Sequence, residues 1–206
     1  MNFNTFSNNL SLLKSKPLGG QSSQFKMVPK LRLNFSEEDI IKQNPKKAAV
    51  LALFYPDKDN QTRFILTERA SYKGTHSSQI SFPGGKKDIS DVNLQQTALR
   101  ETYEEIGVTD INIIRELTTT YIPPSNFLVS PFLAIINQQP NFKKNYEVAT
   151  IIEVLVDDLL NDNNIALKKI TTSYMRNTNV PYFKLNNYTV WGATAMILSE
   201  IKDLIK

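Results

Sequence analysis

Cysteine is absent from this 206-residue sequence. That absence excludes a disulfide framework, a thiolate zinc site and a cysteine nucleophile together. Histidine occurs once, as His76 in a polar loop. A triad built on that ring would need partners that the sequence does not place, so a surface role is expected. Long apolar runs are missing as well. No stretch approaches the roughly 18 consecutive apolar residues of a membrane helix, and no membrane partner is expected. The first twenty residues lack a basic head followed by a purely apolar run, so no secretory signal is expected. Asp203 to Lys206 match no receptor-read address. Lysines and arginines exceed acids by only 24 to 20, a net charge of +4, and they are scattered. Dense basic blocks and aromatic platforms are lacking, which argues against a nucleic-acid partner. A soluble cytoplasmic protein is the simple reading, 41% hydrophobic and 21% charged, long enough to bury one real core.

What is present is ordered. Residues 1–45 read as an N-terminal extension packing on the domain that fills 46–206. Phe6, Leu10, Leu12 and Leu13 suit a short helix, ended by the breaker Pro17-Leu18-Gly19-Gly20. These apolar residues could support a homodimer or fold back onto their own domain. Ala48 to Tyr55 is a continuous apolar run bounded by Pro56, the mark of a buried strand, and Phe64 to Thr67 completes a hairpin. Further strands are expected at Ile80–Phe82, Arg115–Ile122, Phe132–Ile136 and Ile151–Val156. One helix is expected from a cap at Ser90 or Asp91 to Ile106, with Gly107 past its end. Another runs from Ala193 to Ile205, where Ala195, Met196, Leu198, Ile201, Leu204 and Ile205 keep helical spacing. Strands and helices do not alternate regularly, which favours an α+β sandwich over a doubly wound sheet.

The chemistry concentrates in Phe82 to Val108. Helical spacing places Glu101, Glu104 and Glu105 on one outward side, and Val92, Leu99, Tyr103 and Ile106 on the core side. Three acids with no lysine among them are unfavourable. Like charges one turn apart cost a solvated helix about 0.2–0.5 kcal/mol per pair. Unit charges about 4 Å apart repel by roughly 4 kcal/mol at an effective dielectric of 20. The helix dipole adds to the penalty near the C-terminus. A hard divalent cation reverses all three effects, because Mg²⁺ seeks carboxylate oxygens, water and phosphate. An isolated E-x-x-E-E would more simply be a solvated acidic face. Here Gly84-Gly85 sits after a strand and before the helix, where backbone can approach a phosphate closely. Arg100 beside the cluster can fix one carboxylate through a forked pair.

This segment resembles the Nudix box, G-x5-E-x7-R-E-U-x-E-E-x-G-U with U aliphatic. Arg100, Glu101, Glu104, Glu105, Gly107 and Val108 match directly. Thr102 stands where an aliphatic residue is usual. The glycine position falls on Lys86, one residue after Gly85, as a one-residue loop insertion would give. The upstream acid then becomes Asp91 or Val92. The flanks are similar to the coenzyme A pyrophosphatase subfamily: Leu66 to Ala70, Ser81 to Gly85, Thr97 to Glu101, Glu147-Val148 and Trp191 to Ala195. Gly74 departs from an arginine of that signature and Ser78 from a glycine. Lys73 can replace the missing charge but not its forked geometry.

The resemblance implies an α/β/α sandwich with a mixed sheet and a loop-helix-loop catalytic motif. It implies hydrolysis of a diphosphate linkage with Mg²⁺ or Mn²⁺ held by Glu101, Glu104 and Glu105. The substrate expected is a small nucleoside diphosphate derivative: coenzyme A, giving phosphopantetheine and adenosine 3′,5′-bisphosphate, or alternatively ADP-ribose or NADH. A Nudix-fold module that binds without turnover is the alternative of another class. The general base is Glu105 or Glu147, and Arg69, Lys73, Lys86 and the Gly84-Gly85 backbone are the candidate phosphate contacts. Tyr121 to Ser125 reads as a strand exit and turn that could border the substrate. Trp191, the one tryptophan, reads as core, with adenine stacking as the functional option.

Overall fold

The computed structural model describes residues 1–29, 35–70 and 79–206. Short helices come first: α1 (Phe3–Asn8), α2 (Leu10–Ser15), α3 (Gly20–Gln24) and α4 (Glu37–Lys42). The apolar run that follows becomes β1 (Lys46–Pro56), which turns back at Asp57–Gln61 into β2 (Thr62–Arg69). β1 is apolar on both faces because both are covered. Its even positions Ala52 and Phe54 join one core with Leu133, Ile135, Leu198 and Ile201. Its odd positions Ala49, Leu51 and Leu53 join a second with Ala98, Ile106, Phe132 and Ala134. Strand alternation thus divides the interior into the two layers of an α/β/α sandwich.

The sheet forks where the site forms. β1 pairs with β2 only at Phe54–Pro56. Nearer its start, at Ala48–Val50, it pairs instead with β4 (Gly84–Lys86). β2 meanwhile takes β3 (Ile80–Ser81) on its free end, so β3 and β4 fill the gap left as β1 and β2 part. The helix α5 (Leu94–Ile106) follows. β5 (Asn112–Glu116) and β6 (Thr120–Ile122) then add antiparallel to β7 (Phe127–Ile135), which lies parallel to β1. β8 (Val148–Leu155) closes the far edge on β2. The parallel pairing of β1 with β7, among antiparallel neighbours, makes the sheet mixed.

Three expectations change. Arg115–Ile122 is not one strand. β5 and β6 are separated at Leu117–Thr119, where the backbone N–H and hydroxyl of Thr118 turn to the buried Glu200 carboxylate. The acidic helix starts at Leu94 rather than beside Ser90 or Asp91, capped by Asn93 through a 2.8 Å bond from the Gln96 N–H. Its core face is Ala98, Thr102 and Ile106, while Val92 and Tyr103 are 83% and 57% exposed. Small side chains at 98 and 102 let the helix lie low on the sheet, and burial of Thr102 costs little because its hydroxyl donates to the Ala98 carbonyl at 2.7 Å. The rotation brings Glu101 and Glu105 to the edge of the buried stripe.

Beyond β8 lie α6 (Val156–Leu160) and a small antiparallel sheet, β9 (Ile165–Ile170), β10 (Thr178–Leu185) and β11 (Tyr188–Val190). Asn186 and Asn187, both at positive φ, make its tight turn. The chain ends in α7 (Gly192–Ile205), buried nearly all round. The N-terminal apolar residues fold back: Phe3, Phe6 and Leu13 enter the α7-side core, and Phe6 stacks on Phe54 at 5.1 Å. Among the described residues no helix is long and apolar enough to cross a membrane.

Candidate active site

The cleft is built from helix α5 upward. Gly107 ends the helix in the left-handed conformation, φ +70°, which glycine adopts without a Cβ penalty. The last helical carbonyls then need donors. Lys143 N–H reaches the Ile106 carbonyl at 2.9 Å, and Asn145 N–H reaches that of Glu105 at 3.1 Å. Closing the helix end therefore carries the 143–147 segment to the cleft, and Glu147 with it. The Ala70 N–H, donating to the Glu147 carbonyl at 2.7 Å, ties the same segment to the end of β2.

The loop before the helix is shaped by close approach. A Cβ at Gly84 (φ +148°) would collide with the Ala49 carbonyl, and one at Gly85 with the Glu101 carboxylate. The two glycines let α5 bring its acids directly against β4. The Gly84 N–H donates to Glu105 Oε2 at 3.1 Å.

Arg100 organises one side of the cluster. Its Nε and Nη2 fork onto Asp91 at 2.9 Å each, and Nη1 reaches Glu101 at 2.9 Å and Glu104 at 3.2 Å. Nη2 also meets the Lys86 carbonyl at 3.3 Å. Asp91 is buried and further accepts from the Asp88 N–H and the Thr97 hydroxyl. The Arg100 guanidinium holds the Asp91 carboxyl well below the usual carboxylate range, and Asp91 in turn keeps Arg100 firmly protonated. Of the two upstream positions the sequence leaves open, Asp91 is inside and Val92 outside.

The other acids repel. Burial pushes Glu105 up to about 7, and the charges of Glu101 and Glu147 push the same way against the Gly84 N–H and Arg69. Burial also raises Glu101, with Arg100 opposing and Glu104 and Glu147 adding to the rise. These carboxylates line a cleft of about 1080 Å³ with Arg69, Lys86, Gly84 and Gly85. On the far wall the cleft is lined by Ala48, Val129, Phe127 and Ile122, neighbours across β1, β7 and β6 on one sheet face. Ala48, Phe127, Val129, Asn145 and Tyr146 carry no motif, while Ile122 and Ser125 belong to a turn that the sequence places near the substrate. Only the Tyr121–Ser125 turn carried a signal.

Lys73, Gly74, His76 and Ser78 lie outside the described residues. Trp191 is the half-buried N-cap position of α7, and among the described residues lining the cleft it is absent. Three residues on, Thr194 donates to the Ile80 carbonyl of β3 at 2.9 Å and ties α7 to that strand.

A model of the NUDIX domain matches residues 45–171. This chain belongs to the Nudix family. The Nudix chain is 31% identical over 166 residues to "Nudix hydrolase 15, mitochondrial" of Arabidopsis thaliana, covering 75% of this chain and 56% of that protein. It is 30% identical over 166 residues to the uncharacterized Nudix hydrolase NudL of Enterobacter sp. (strain 638), covering 77% and 82%. With the peroxisomal coenzyme A diphosphatase ndx-8 of Caenorhabditis elegans it shares 28% over 173 residues, covering 82% and 72%. This chain thus spans just over half the length of the Arabidopsis relatives. A MutT/nudix family protein from Enterococcus faecalis has the same fold, with a TM-score of 0.52 at 14% identity over 97% of this chain and 74% of that one.

Nudix hydrolases generally use a divalent metal, and the Nudix helix here suits one. The donors are all oxygen, as a hard cation prefers, and Glu101 and Glu105 are raised by burial and like charge. As the side chains stand, no three His, Cys, Asp or Glu among the described residues form a ready ligand cluster. Glu101 is turned to Arg100 and Glu105 to the Gly84 N–H, so a cation would have to draw them together.

Proposed function

We propose that this Nudix domain hydrolyses the diphosphate linkage of a nucleoside diphosphate derivative, with coenzyme A and its derivatives as the preferred class. Phosphopantetheine and adenosine 3′,5′-bisphosphate would be the products. The observation that carries the reading is the Glu105 carboxylate, pushed up to about 7 at the cleft wall with like-charged Glu101 and Glu147 about it. Such a group suits proton transfer near neutral pH or a cation that relieves the repulsion. Glu101, Glu104 and Glu105 would hold Mg²⁺ or Mn²⁺, which when bound neutralises the diphosphate and lowers the pKa of a coordinated water. Arg100 orients Glu101 and Glu104. The Gly84-Gly85 backbone, Arg69, Lys73 and Lys86 bind the phosphates. Glu105 or Glu147 takes the proton of the attacking water.

The coenzyme A preference is supported by the subfamily motifs and by the name of the Caenorhabditis elegans relative. Residues 1–45 serve as an extension docked on the catalytic unit, in line with a family match that starts at residue 45. A cytoplasmic setting is what the cysteine-free composition favours. The test is turnover of coenzyme A against ADP-ribose and NADH with Mg²⁺ and with Mn²⁺. Preferred cleavage of coenzyme A that collapses in Glu105→Gln is expected. Preference for another diphosphate would overturn the substrate class, and cleavage of none would leave a binding module.

A further inference from the structure

Single exposed hydrophobics are ordinary on a protein surface, but a tyrosine at a cleft presents an apolar ring face with a polar tip, as binding surfaces use. Among the described residues, nine large hydrophobics are exposed, including Ile41, Ile89, Leu167 and Tyr174. Tyr146 alone among them also lines the cleft. The residue is 74% exposed and belongs to the cleft rather than to the core.

Its backbone is held on both sides. Asn145 N–H is bound to the Glu105 carbonyl and the Glu147 carbonyl to Ala70 N–H. The Asn145 side chain also accepts from the Glu147 N–H at 2.9 Å. The ring is thus mounted on a segment anchored to the helix of the acidic cluster and to the end of β2. A group bound through its phosphates at the Gly84-Gly85 backbone and Arg69, beside the acids, would have an aromatic surface next to Glu147. The wall formed by Ile122, Phe127 and Val129 is apolar as well, but it is continuous with the sheet and Val129 is buried. Its one ring, Phe127, belongs to β7 and has the Lys46 ammonium 5.8 Å from its centroid.

We propose that Tyr146 is the stacking surface for the nucleobase of the ligand, and so a specificity-determining residue of this cleft. The proposal rests on the hydrolase reading only in that the ligand is a nucleotide. Stacking on an aromatic side chain is tolerant of base identity but grows with ring size, and its loss weakens binding by roughly 5- to 150-fold. Neither Tyr146→Phe nor Tyr146→Ala touches the core.

The test is binding of AMP and UMP in Mg²⁺ buffer, followed by calorimetry and by the ring-proton NMR signals of Tyr146. AMP should bind more tightly than UMP and shift the Tyr146 ring signals. Tyr146→Ala should lose about tenfold in AMP affinity, and Tyr146→Phe should stay within about twofold. With a diphosphate substrate the Ala variant should raise KM and leave kcat nearly unchanged. Unshifted ring signals, or equal AMP affinity in Tyr146→Ala and wild type, would overturn the proposal. The two readings fail separately. Tyr146-dependent AMP binding with no diphosphate cleaved keeps the stack and discards the hydrolase. Cleavage with an unchanged KM in Tyr146→Ala does the reverse.

Discussion

Glu200 and Glu105 are both acids drawn out of water by a helix, and their surroundings differ in every other respect. Glu200, on α7, is fully buried. It accepts from the Gly20 N–H at 2.9 Å, the Thr118 N–H at 3.2 Å, the Thr118 hydroxyl at 2.5 Å and the Gln24 amide at 3.3 Å. Those donors come from α3 and from the break between β5 and β6, so one carboxylate pins the N-terminal helices to the sheet and to α7. The Glu105 carboxylate, on α5, receives a single described hydrogen bond, from the Gly84 N–H, and faces two like charges. A satisfied buried carboxylate stabilises a fold; an unsatisfied one beside a cleft stores repulsion that a ligand can relieve. Burial alone does not separate structure from function. The count of donors does.

The sharpest break in that comparison is Glu105→Gln. Turnover should fall by about 10²–10⁴-fold, the range for loss of a proton-transfer group, while the melting temperature holds or rises because a repulsion is gone. A large loss of stability would place Glu105 with Glu200. Next in size is Glu200→Ala, which strands the donors of Gly20, Gln24 and Thr118. It should cost about 3 kcal/mol and lower the melting temperature by roughly 10 °C. Specific activity per folded molecule should be retained. If activity falls while stability holds, the structural role of Glu200 is wrong.

The same contrast marks what a reader of the sequence could see. The Glu101, Glu104, Glu105 and Gly107 pattern is a local helix signal, and the structure keeps it as the C-terminal turns of α5 with Gly107 at its cap. β1 and β2 are legible because an unbroken apolar run can only be buried. The facing of α5 was not legible, since its core contact runs through Ala98 and Thr102, small residues that a hydrophobicity pattern weighs lightly. Glu147 was legible as a motif residue, but not the reason for its placement, which is the need of the last α5 carbonyls for donors. The β9–β11 sheet escaped because β9 is exposed along most of its length and carries no alternation. Its one local clue was Asn186-Asn187. Glu200 itself gave no signal, because its partners lie far from it in the chain.

Arg100→Lys is a smaller perturbation and tests whether the cluster needs a fork or merely a charge. A lysine cannot bond both Asp91 oxygens and also reach Glu101 and Glu104. About 2 kcal/mol of stability should be lost, because the buried Asp91 keeps its charge without its forked partner. Asp91→Asn should cost a similar amount, and the double variant should cost less than the sum, since both remove one interaction. Thermal melts of the three variants check this. Full additivity would mean that the pair acts independently and that Asp91 does not position Arg100.

The smallest effect is at acid pH, where Asp91 separates itself from the acids of the cleft. Arg100 holds the Asp91 carboxyl below its ordinary value in the folded chain. A depressed folded pKa adds stability that is present above the unfolded value, about 3.9, and is lost as pH falls through the folded value. Wild type should therefore lose melting temperature below about pH 4 more steeply than Asp91→Asn, which has no proton to take up there. Above about pH 5 the two curves should run parallel with a constant offset. Equal slopes below pH 4 would show that Asp91 is not held ionised by Arg100, and the ordered side of the acidic cluster would then need another anchor.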